Sequence, residues 1–481
     1  MKFQCTNPYL GECLYIPDGE PHVYGERIYV YGSHDYFGSM RYCPGDYHVF
    51  SSNLDFSKPW KDEGVTYKRK NIHNKSGFHC LWAPDCIYKN GKYYLYFCYE
   101  WQNYIMVAVS DKPSGPFTYI GDIKHKDGTL YGHKETDIMC FDPGAFVDDD
   151  GRVFIYTGYS CNEELKKMLK WKGIHNCDGT GNQVIELEED MLTIKGDPKR
   201  LIPGYKNSAG TSFVGHEMYE ASSMRKFNGK YYFIYSSRLS HELAYAMSDY
   251  PDHGFEFKGA LISNGDIGYK GNKEPVTYYG NVHGSVEKIG DKYYVFYHRQ
   301  TNYNEQSRQG CAEEITMNAD GTFNMAEVTS QGLNGKPLLG EGTYKTYIAC
   351  NLMSDKGATK CQYGPFARHK YKLHPAISEK KIDGQRHQLI INMRNNAVAG
   401  FKYFKLEHLK EITIKVRGSA GKIILSNSLR GMPLSETTID KSKTFKEYKL
   451  KINDLSHEKC PLYFTYIGQG KIDFLEFTLN K

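Results

Sequence analysis

One pattern recurs five times in this 481-residue chain and limits what it can fold into. "GERIYVYGSHD" begins at Gly25, "NGKYYLYFCYE" at Asn90, "DGRVFIYTGYS" at Asp150, "NGKYYFIYSSR" at Asn228 and "GDKYYVFYHRQ" at Gly290. Each is a glycine-containing turn followed by a run of Tyr, Phe, Ile and Val, residue types that suit a pleated strand. The turn glycines Gly25, Gly91, Gly151, Gly229 and Gly290 stand 66, 60, 78 and 61 residues apart. Strand units at a near-constant interval point to a propeller or array, and about 60 residues is enough for a four-stranded blade with generous loops. Helix signal is nearly absent. "NEELKKMLKWKG", with Asn162 as N-cap and Leu165, Met168 and Leu169 on one face, predicts one short inserted helix. The expectation is an all-β chain with a five-bladed β-propeller over residues 1–330, an irregular β-sandwich being the alternative.

Beyond about residue 345 the pattern changes. "EITIKVRG", "EYKLKIND" and "LYFTYIG" alternate apolar and polar positions, which predicts a jelly-roll-like β-sandwich over residues 345–481. The glycine-rich "SQGLNGKPLLGEGTYK", residues 330–345, reads as a linker.

Composition excludes several classes. Net charge is +5, and no run of like charge exceeds three residues, so no nucleic-acid or membrane-surface patch is expected. No stretch approaches the roughly 18 apolar residues of a spanning helix. "MKFQCTNPYLGEC" lacks an apolar signal core, which suggests a cytoplasmic protein, with a removed signal peptide left open. The 13 cysteines are odd in number and contain no CxxC pair, so reduced thiols are expected rather than a disulfide framework. "HEMYE" and "HELAY" lack the second His of a zinc protease motif. Oligomeric state is not legible.

The segment before each turn should form the innermost strand of a blade. Reading back from each glycine, one polar residue stands out six to nine positions earlier: Asp18, Asp85, Asp142, Glu220 and His283. Equivalent positions on five blades converge on one axis, so four acids and a histidine are expected at one end of the channel. Each has a bland reading. Asp85 and Asp142 lie beside prolines and could cap turns, and His283 could be a satisfied core histidine. Glu220, among small and apolar residues in "YEASSMRK", is harder to dismiss, because a buried carboxylate needs a partner or a task.

The blade segments resemble glycoside hydrolase family 43. "PDGEPHVYGERIYVYGSHD", "FDPGAFVDDDGRVFIYTG", "EASSMRKFNGKYYFIYSS" and "NVHGSVEKIGDKYYVFYHRQTN" carry the resemblance. It implies a glycosidase acting on xylose- or arabinofuranose-containing oligosaccharides of plant cell walls, exo-acting and inverting. It makes Asp18 the general base, with Glu20 a rival, Asp142 the residue that orients and tunes, and Glu220 the general acid. It offers Arg299 as a substrate contact, with a salt bridge as the alternative. Trp82 would be a sugar-stacking face and Asp85 a pocket-shaping residue. No cofactor is required. In some members the histidine matching His283 holds a calcium-type ion at the channel centre through water. Glycosidic hydrolysis needs one protonated and one ionised carboxyl, which this set supplies. Two other readings stay open. A non-catalytic sugar-binding propeller would not need Glu220, and a fructan-acting propeller would carry RDP where this chain has "FDP" at 141–143. The tail, in "VAGFKYFKLEHLKEITIKVRGSAGK" and "GKIDFLEFTL", resembles a family 6 carbohydrate-binding module, in which Asp473 matches a late calcium ligand. All proposed acids precede residue 330, so the tail is expected to serve solubility or stability rather than chemistry.

Overall fold

A computed structural model describes residues 3–361 and 373–481. Five antiparallel sheets follow one another along the first two-thirds of the chain. The first is β1 (Glu20–Tyr24), β2 (Arg27–Tyr31), β3 (Tyr47–Asn53) and β4 (Lys61–Tyr67). The second is β5 (Asp85–Lys89), β6 (Lys92–Phe97), β7 (Met106–Ser110) and β8 (Thr118–Asp122). The third is β9 (Gly144–Val147), β10 (Val153–Thr157), β11 (Gly181–Leu187) and β12 (Lys199–Pro203). The fourth is β13 (Met218–Phe227), β14 (Lys230–Ser237), β15 (Glu242–Ser248) and β16 (Glu256–Ser263), and the fifth β17 (Val286–Ile289), β18 (Lys292–Thr301) and β19 (Asn304–Ile315). The five repeated turns join the first strand of each sheet to the second, and all five turn glycines have positive φ, from 60° to 85°. First strands of neighbouring sheets touch, β1 with β5 and β17, and β9 with β5 and β13. The predicted five-bladed propeller is therefore the observed one.

Apolar clusters lie between consecutive blades: Tyr47 and Val49 with Leu95 and Phe97, Ile87 and Tyr96 with Val153 and Ile155, Phe154 and Tyr156 with Phe233 and Tyr235, Ile234 and Tyr245 with Val295 and Tyr297. Tyrosine suits these seams because a thin blade lets its hydroxyl reach a backbone oxygen at the far side. Tyr31 donates to the Pro113 carbonyl (2.6 Å), Tyr156 to Pro251 (2.9 Å) and Tyr235 to His216 (2.7 Å). The last seam needs the N-terminal segment. Cys5 and Tyr9 pack with Ile28 and Val30 of the first blade and Phe296 and Ala312 of the last. Asn7 donates to the Ala312 carbonyl (3.1 Å) and accepts from the Ala312 N–H (2.9 Å).

The predicted helix is α1 (Glu163–Trp171), capped by the Asn162 side chain accepting from the Leu165 N–H at 2.9 Å. Leu169 is buried and Leu165 packs beside it, whereas Met168 turns outward. The insertion folds back on itself, bringing Cys161 and Cys177 to a Cα separation of 6.3 Å, and the two form a disulfide. The expectation of thiols throughout is corrected at this pair; the other eleven cysteines are free. Among the described residues, no helix is long and apolar enough to cross a membrane.

The C-terminal unit is a ten-stranded sheet of β20 (Leu338–Leu339), β21 (Gly342–Lys345), β22 (Asn351–Met353), β23 (Ala376–Ile382), β24 (Gln385–Arg394), β25 (Ala397–Gly418), β26 (Gly421–Ser426), β27 (Ser435–Ile439), β28 (Ser442–Ile467) and β29 (Lys471–Asn480). β25 and β28 are paired through repeated register shifts, which bend them around one apolar core that includes Phe401, Phe404, Phe464, Phe474 and Phe477. The stretch read as a linker is partly strand. β20 pairs with β25 and β21 with β29, and Leu338 and Tyr344 are buried. Its glycines were misleading: Gly340 lies so close to the Lys405 carbonyl that any Cβ would overlap it, so this glycine serves packing, not flexibility. Asp473 is paired with Arg417, both contacts at 3.0 Å.

Candidate active site

Four of the five convergent residues meet. Asp18 precedes β1, Asp142 precedes β9, Glu220 lies in β13 and His283 precedes β17. The backbone is bent to bring them in. Asp18 and Asp142 have φ of 58° and 42°, and Ala221, next to Glu220, has φ of 67°. Non-glycine residues reach this region only where surrounding structure forces them, and such positions cluster at functional sites. In β13 the register with β14 shifts on both sides of Glu220, a bulge that re-aims its side chain.

Asp18 is the most heavily held. Oδ1 accepts from Arg308 Nη1 at 2.8 Å, and Oδ2 accepts a short hydrogen bond from the Ser33 hydroxyl. Its N–H donates to His298 Nδ1 at 3.3 Å, while His298 Nε2 faces the Asn281 carbonyl at 2.8 Å. That pair of contacts assigns the neutral Nε2–H tautomer to His298, in keeping with burial pushing its pKa down. Burial opposes a charge on Asp18, yet the Arg308 guanidinium holds its carboxyl well below the usual range. Arg308 is itself fixed by Asp35, Nε to Oδ2 at 2.8 Å and Nη2 to Oδ1 at 3.1 Å, and lies 4.9 Å over the Tyr42 ring.

Glu220 is the opposite case. It is half-buried, and what acts on its carboxyl is burial and neighbouring charge rather than a hydrogen bond. Burial, then the negative charge of Asp142, raises its pKa to about 8. Asp142 is also raised by burial but is drawn back by His283, whose Nδ1 is 3.5 Å from its Oδ2. Burial disfavours a charge on His283, but the carboxylates of Asp142 and Glu20, 3.5 and 3.8 Å from its ring nitrogens, keep it protonated far above the usual range. The proton in this group therefore sits on Glu220, and Asp142 stays charged beside His283.

The remaining expectations are corrected. Asp85 does not join the cluster. Its carboxylate is fully buried, bonded to His22 Nε2 (2.6 Å) and to the N–H groups of Cys86 (2.7 Å) and Ala145 (2.8 Å), so it ties the first strands of three blades together. Glu20 is not free to act as a base, because its Oε2 accepts from Arg225 Nη2 at 3.0 Å and Ser223 at 3.1 Å. Trp82 is only 7% exposed and packs edge-on to Trp101 (4.9 Å) and against Phe141 (4.6 Å), which leaves no ring face for a sugar. Trp101, Phe141 and Tyr219 of the same aromatic wall remain half-buried. Arg299 points away from the site, donating to the carbonyls of Tyr347 (2.7 Å) and Ala349 (3.2 Å) in the C-terminal unit. The arginine of the site is Arg308. It was missed because nothing local marks it, as were Ser33, Asp35 and His298. Two signals were present: "GSHD" puts polar residues directly after an apolar strand, and strand alternation sends His298 and Arg299 to opposite faces.

A second polar layer lies behind the acids. Glu20, His22 and Asp85 place ligand-type atoms within 4.8 Å of one another. Among the described residues Glu20 Oε1 is buried without a hydrogen-bond partner, and it faces His283 Nε2 at 3.8 Å.

Residues 15–323 match the model of glycosyl hydrolases family 43. The chain belongs to that family. Along its whole length it is 37% identical to a xylosidase/arabinosidase of Thermoclostridium stercorarium, covering 99% of that relative. It is 31% identical to a xylosidase/arabinosidase of Bacteroides ovatus over 60% of this chain and 87% of that one. Among solved structures of family 43, it is similar to a β-xylosidase/α-arabinofuranosidase from a compost microbial metagenome, described as complexed with xylotriose in a calcium-free form. That match has 27% identity and a TM-score of 0.52, and covers 66% of this chain and 96% of that one.

Proposed function

We propose that this family 43 glycosidase is an inverting, exo-acting enzyme releasing xylose or arabinofuranose from short xylan- or arabinan-derived oligosaccharides. The observation that carries the reading is the pair of opposed carboxyls: Asp18 held ionised by Arg308 and Glu220 held protonated by burial and Asp142. In the reaction, water attacks the anomeric carbon and gives its proton to Asp18. The glycosidic C–O bond breaks, and the Glu220 proton goes to the departing oxygen. The proton then returns from Asp18 to Glu220 through solvent. The names of relatives 37% and 31% identical support the sugar class. Turnover of aryl β-xylosides and aryl α-arabinofuranosides is the test; inactivity on both would refute the substrate class.

Asp142→Asn removes the charge that adds to burial in raising Glu220. Glu220 is competent while protonated, so activity falls as pH rises through its pKa. Asp142→Asn is expected to move that alkaline limb of kcat/KM downward from about 8 without abolishing it, because burial remains. An unmoved limb would leave Asp142 a purely orienting role.

A calcium-type ion at the channel centre fits the residues present. Glu20 Oε1, without a hydrogen-bond partner among the described residues, would hold it directly or through water, and His283 Nε2 could face it only after giving up its proton to the acids around it. When bound, it would supply positive charge behind the acid cluster. Calcium in excess over chelator should then raise Tm by ligand linkage; an identical Tm in calcium and in chelator would argue against the ion.

A further inference from the structure

The residues that hold Asp18 have neighbours with a different attachment. His298 and Arg299 are consecutive in β18, and Arg308 and Gln309 are consecutive in β19, so each pair points to opposite faces of the last blade. His298 and Arg308 face Asp18. Arg299 and Gln309 are cross-strand partners on the other face, and Arg299 Nη2 donates to Gln309 Oε1 at 2.9 Å. There they meet the C-terminal unit. Arg299 is capped by the Tyr347 and Ala349 carbonyls. The Gln309 amide pairs with the Gln388 amide of β24 in both directions, each at 3.0 Å, and both residues are fully buried.

Gln388 also grips the segment that leads into Asp18. Its Oε1 accepts from the Cys13 N–H at 3.3 Å, its N–H donates to Glu12 at 3.0 Å, and its Nε2 lies 3.5 Å from the Tyr15 hydroxyl. Gln309 Nε2 in turn reaches the Leu14 carbonyl at 3.2 Å. One side chain of the C-terminal unit thus contacts both chain segments that carry the Asp18–Arg308 pair. In "QRHQLIINMR" it is a fully buried glutamine between His387 and Leu389, and among the described residues its side chain bonds to Cys13, Tyr15 and Gln309.

We propose that Gln388, acting with Arg299 and Gln309, is a positioning residue that sets the register of Arg308 against Asp18, so that the C-terminal unit is part of the catalytic apparatus. The inference rests on the roles given to Asp18 and Glu220 above. It runs against the expectation that the tail serves only solubility or stability. The physical route is short. Losing the amide pair frees Gln309 to shift along β19, and Arg308, one residue away, shifts with it. A buried ion pair depends steeply on distance, so a small displacement changes both the orientation and the proton affinity of Asp18.

The experiment uses full-length Gln388→Met, which keeps side-chain length without the amide, together with Arg299→Met and Arg299→Lys. All are assayed well below their own Tm. For Gln388→Met and Arg299→Met the expected result is a fall in kcat of about tenfold at little change in KM, with the acidic limb of the pH profile moved upward, because Asp18 binds protons more readily once Arg308 is displaced. Arg299→Lys, which still offers a cation to one carbonyl, should recover part of the loss. A merely structural role would lower Tm and leave the limb and kcat in place, and that result overturns the proposal. The ¹⁵N shifts of the His298 ring read the Asp18 environment without turnover. If the wild-type chain is inactive on every glycoside tried, the proposed function fails while the coupling is still decided there: a changed His298 signal in Gln388→Met sustains it, and an identical one ends it.

Discussion

Glu220→Gln is expected to lower kcat/KM by about 10²–10⁴-fold on glycosides with poor leaving groups, the range that general acid catalysis contributes, and far less on activated aryl glycosides. The asymmetry follows from what the carboxyl does. A sugar or alkyl oxygen must be protonated as it leaves, whereas a nitrophenolate departs with little help. Gln has the same shape but no acidic proton, and no hydrogen bond is among the influences on the Glu220 carboxyl, so the substitution should leave the fold intact. The alkaline limb near pH 8 should vanish with it, since that limb is Glu220 losing its proton. Equal losses on both substrate classes, or a persisting limb, would show that another group is the acid.

Asp18→Asn should be as damaging on every substrate, activated or not, because water must be deprotonated in all of them. Arg308 keeps Asp35 as a partner, so the loss falls mainly on chemistry and less on folding. The stereochemistry of the wild-type enzyme decides what kind of loss it is. Proton NMR of the first product from a β-xyloside should show α-xylose before mutarotation, the outcome of a single displacement by water. First release of the β-anomer would instead make Asp18 a nucleophile.

The fold was legible because its signals are local. Each turn glycine and the aromatic run after it form one hairpin, and five copies at a near-constant interval leave few architectures. Asp18, Asp142, Glu220 and His283 were legible for the same reason, each standing at a similar offset before its turn. Asp85 shared the offset but follows the β1–β5 contact through His22 instead of the channel mouth, a distinction that depends on three-dimensional tilt and not on spacing. Arg308 was invisible, and Asp35 was marked only as one polar residue among several after an apolar strand. Their meaning lies in each other and in Asp18, at separations of 273 and 290 residues, and a buried polar residue in a strand looks like a solvated one when its partners are distant. Arg299 was chosen over its neighbours by type alone, and alternation along β18 sends it to the wrong face. The disulfide was missed because two cysteines 16 positions apart, with no regular spacing to the others, carry no motif.

The seam that Asn7 and Tyr9 close has a consequence for how the protein is made. The first blade leaves the ribosome early, yet Phe296 and Ala312, which cover Ile28 and Val30, are encoded nearly three hundred residues later. At ~5–20 residues per second that is roughly 15–60 s of synthesis. In equilibrium terms the delay is mild. Closing a loop of about 290 residues instead of about 60 adds only ~1.4 kcal/mol of chain entropy. In kinetic terms it is severe, because an apolar flank and an unpaired blade edge stand open to other nascent chains throughout that interval. The base is assembled in the same late step, since Asp18 meets Arg308 only when the ring shuts. Nascent chains should therefore be inactive and prone to associate until the last blade docks, and slowing translation ahead of residue 296 should lower the soluble yield more than slowing it after residue 345.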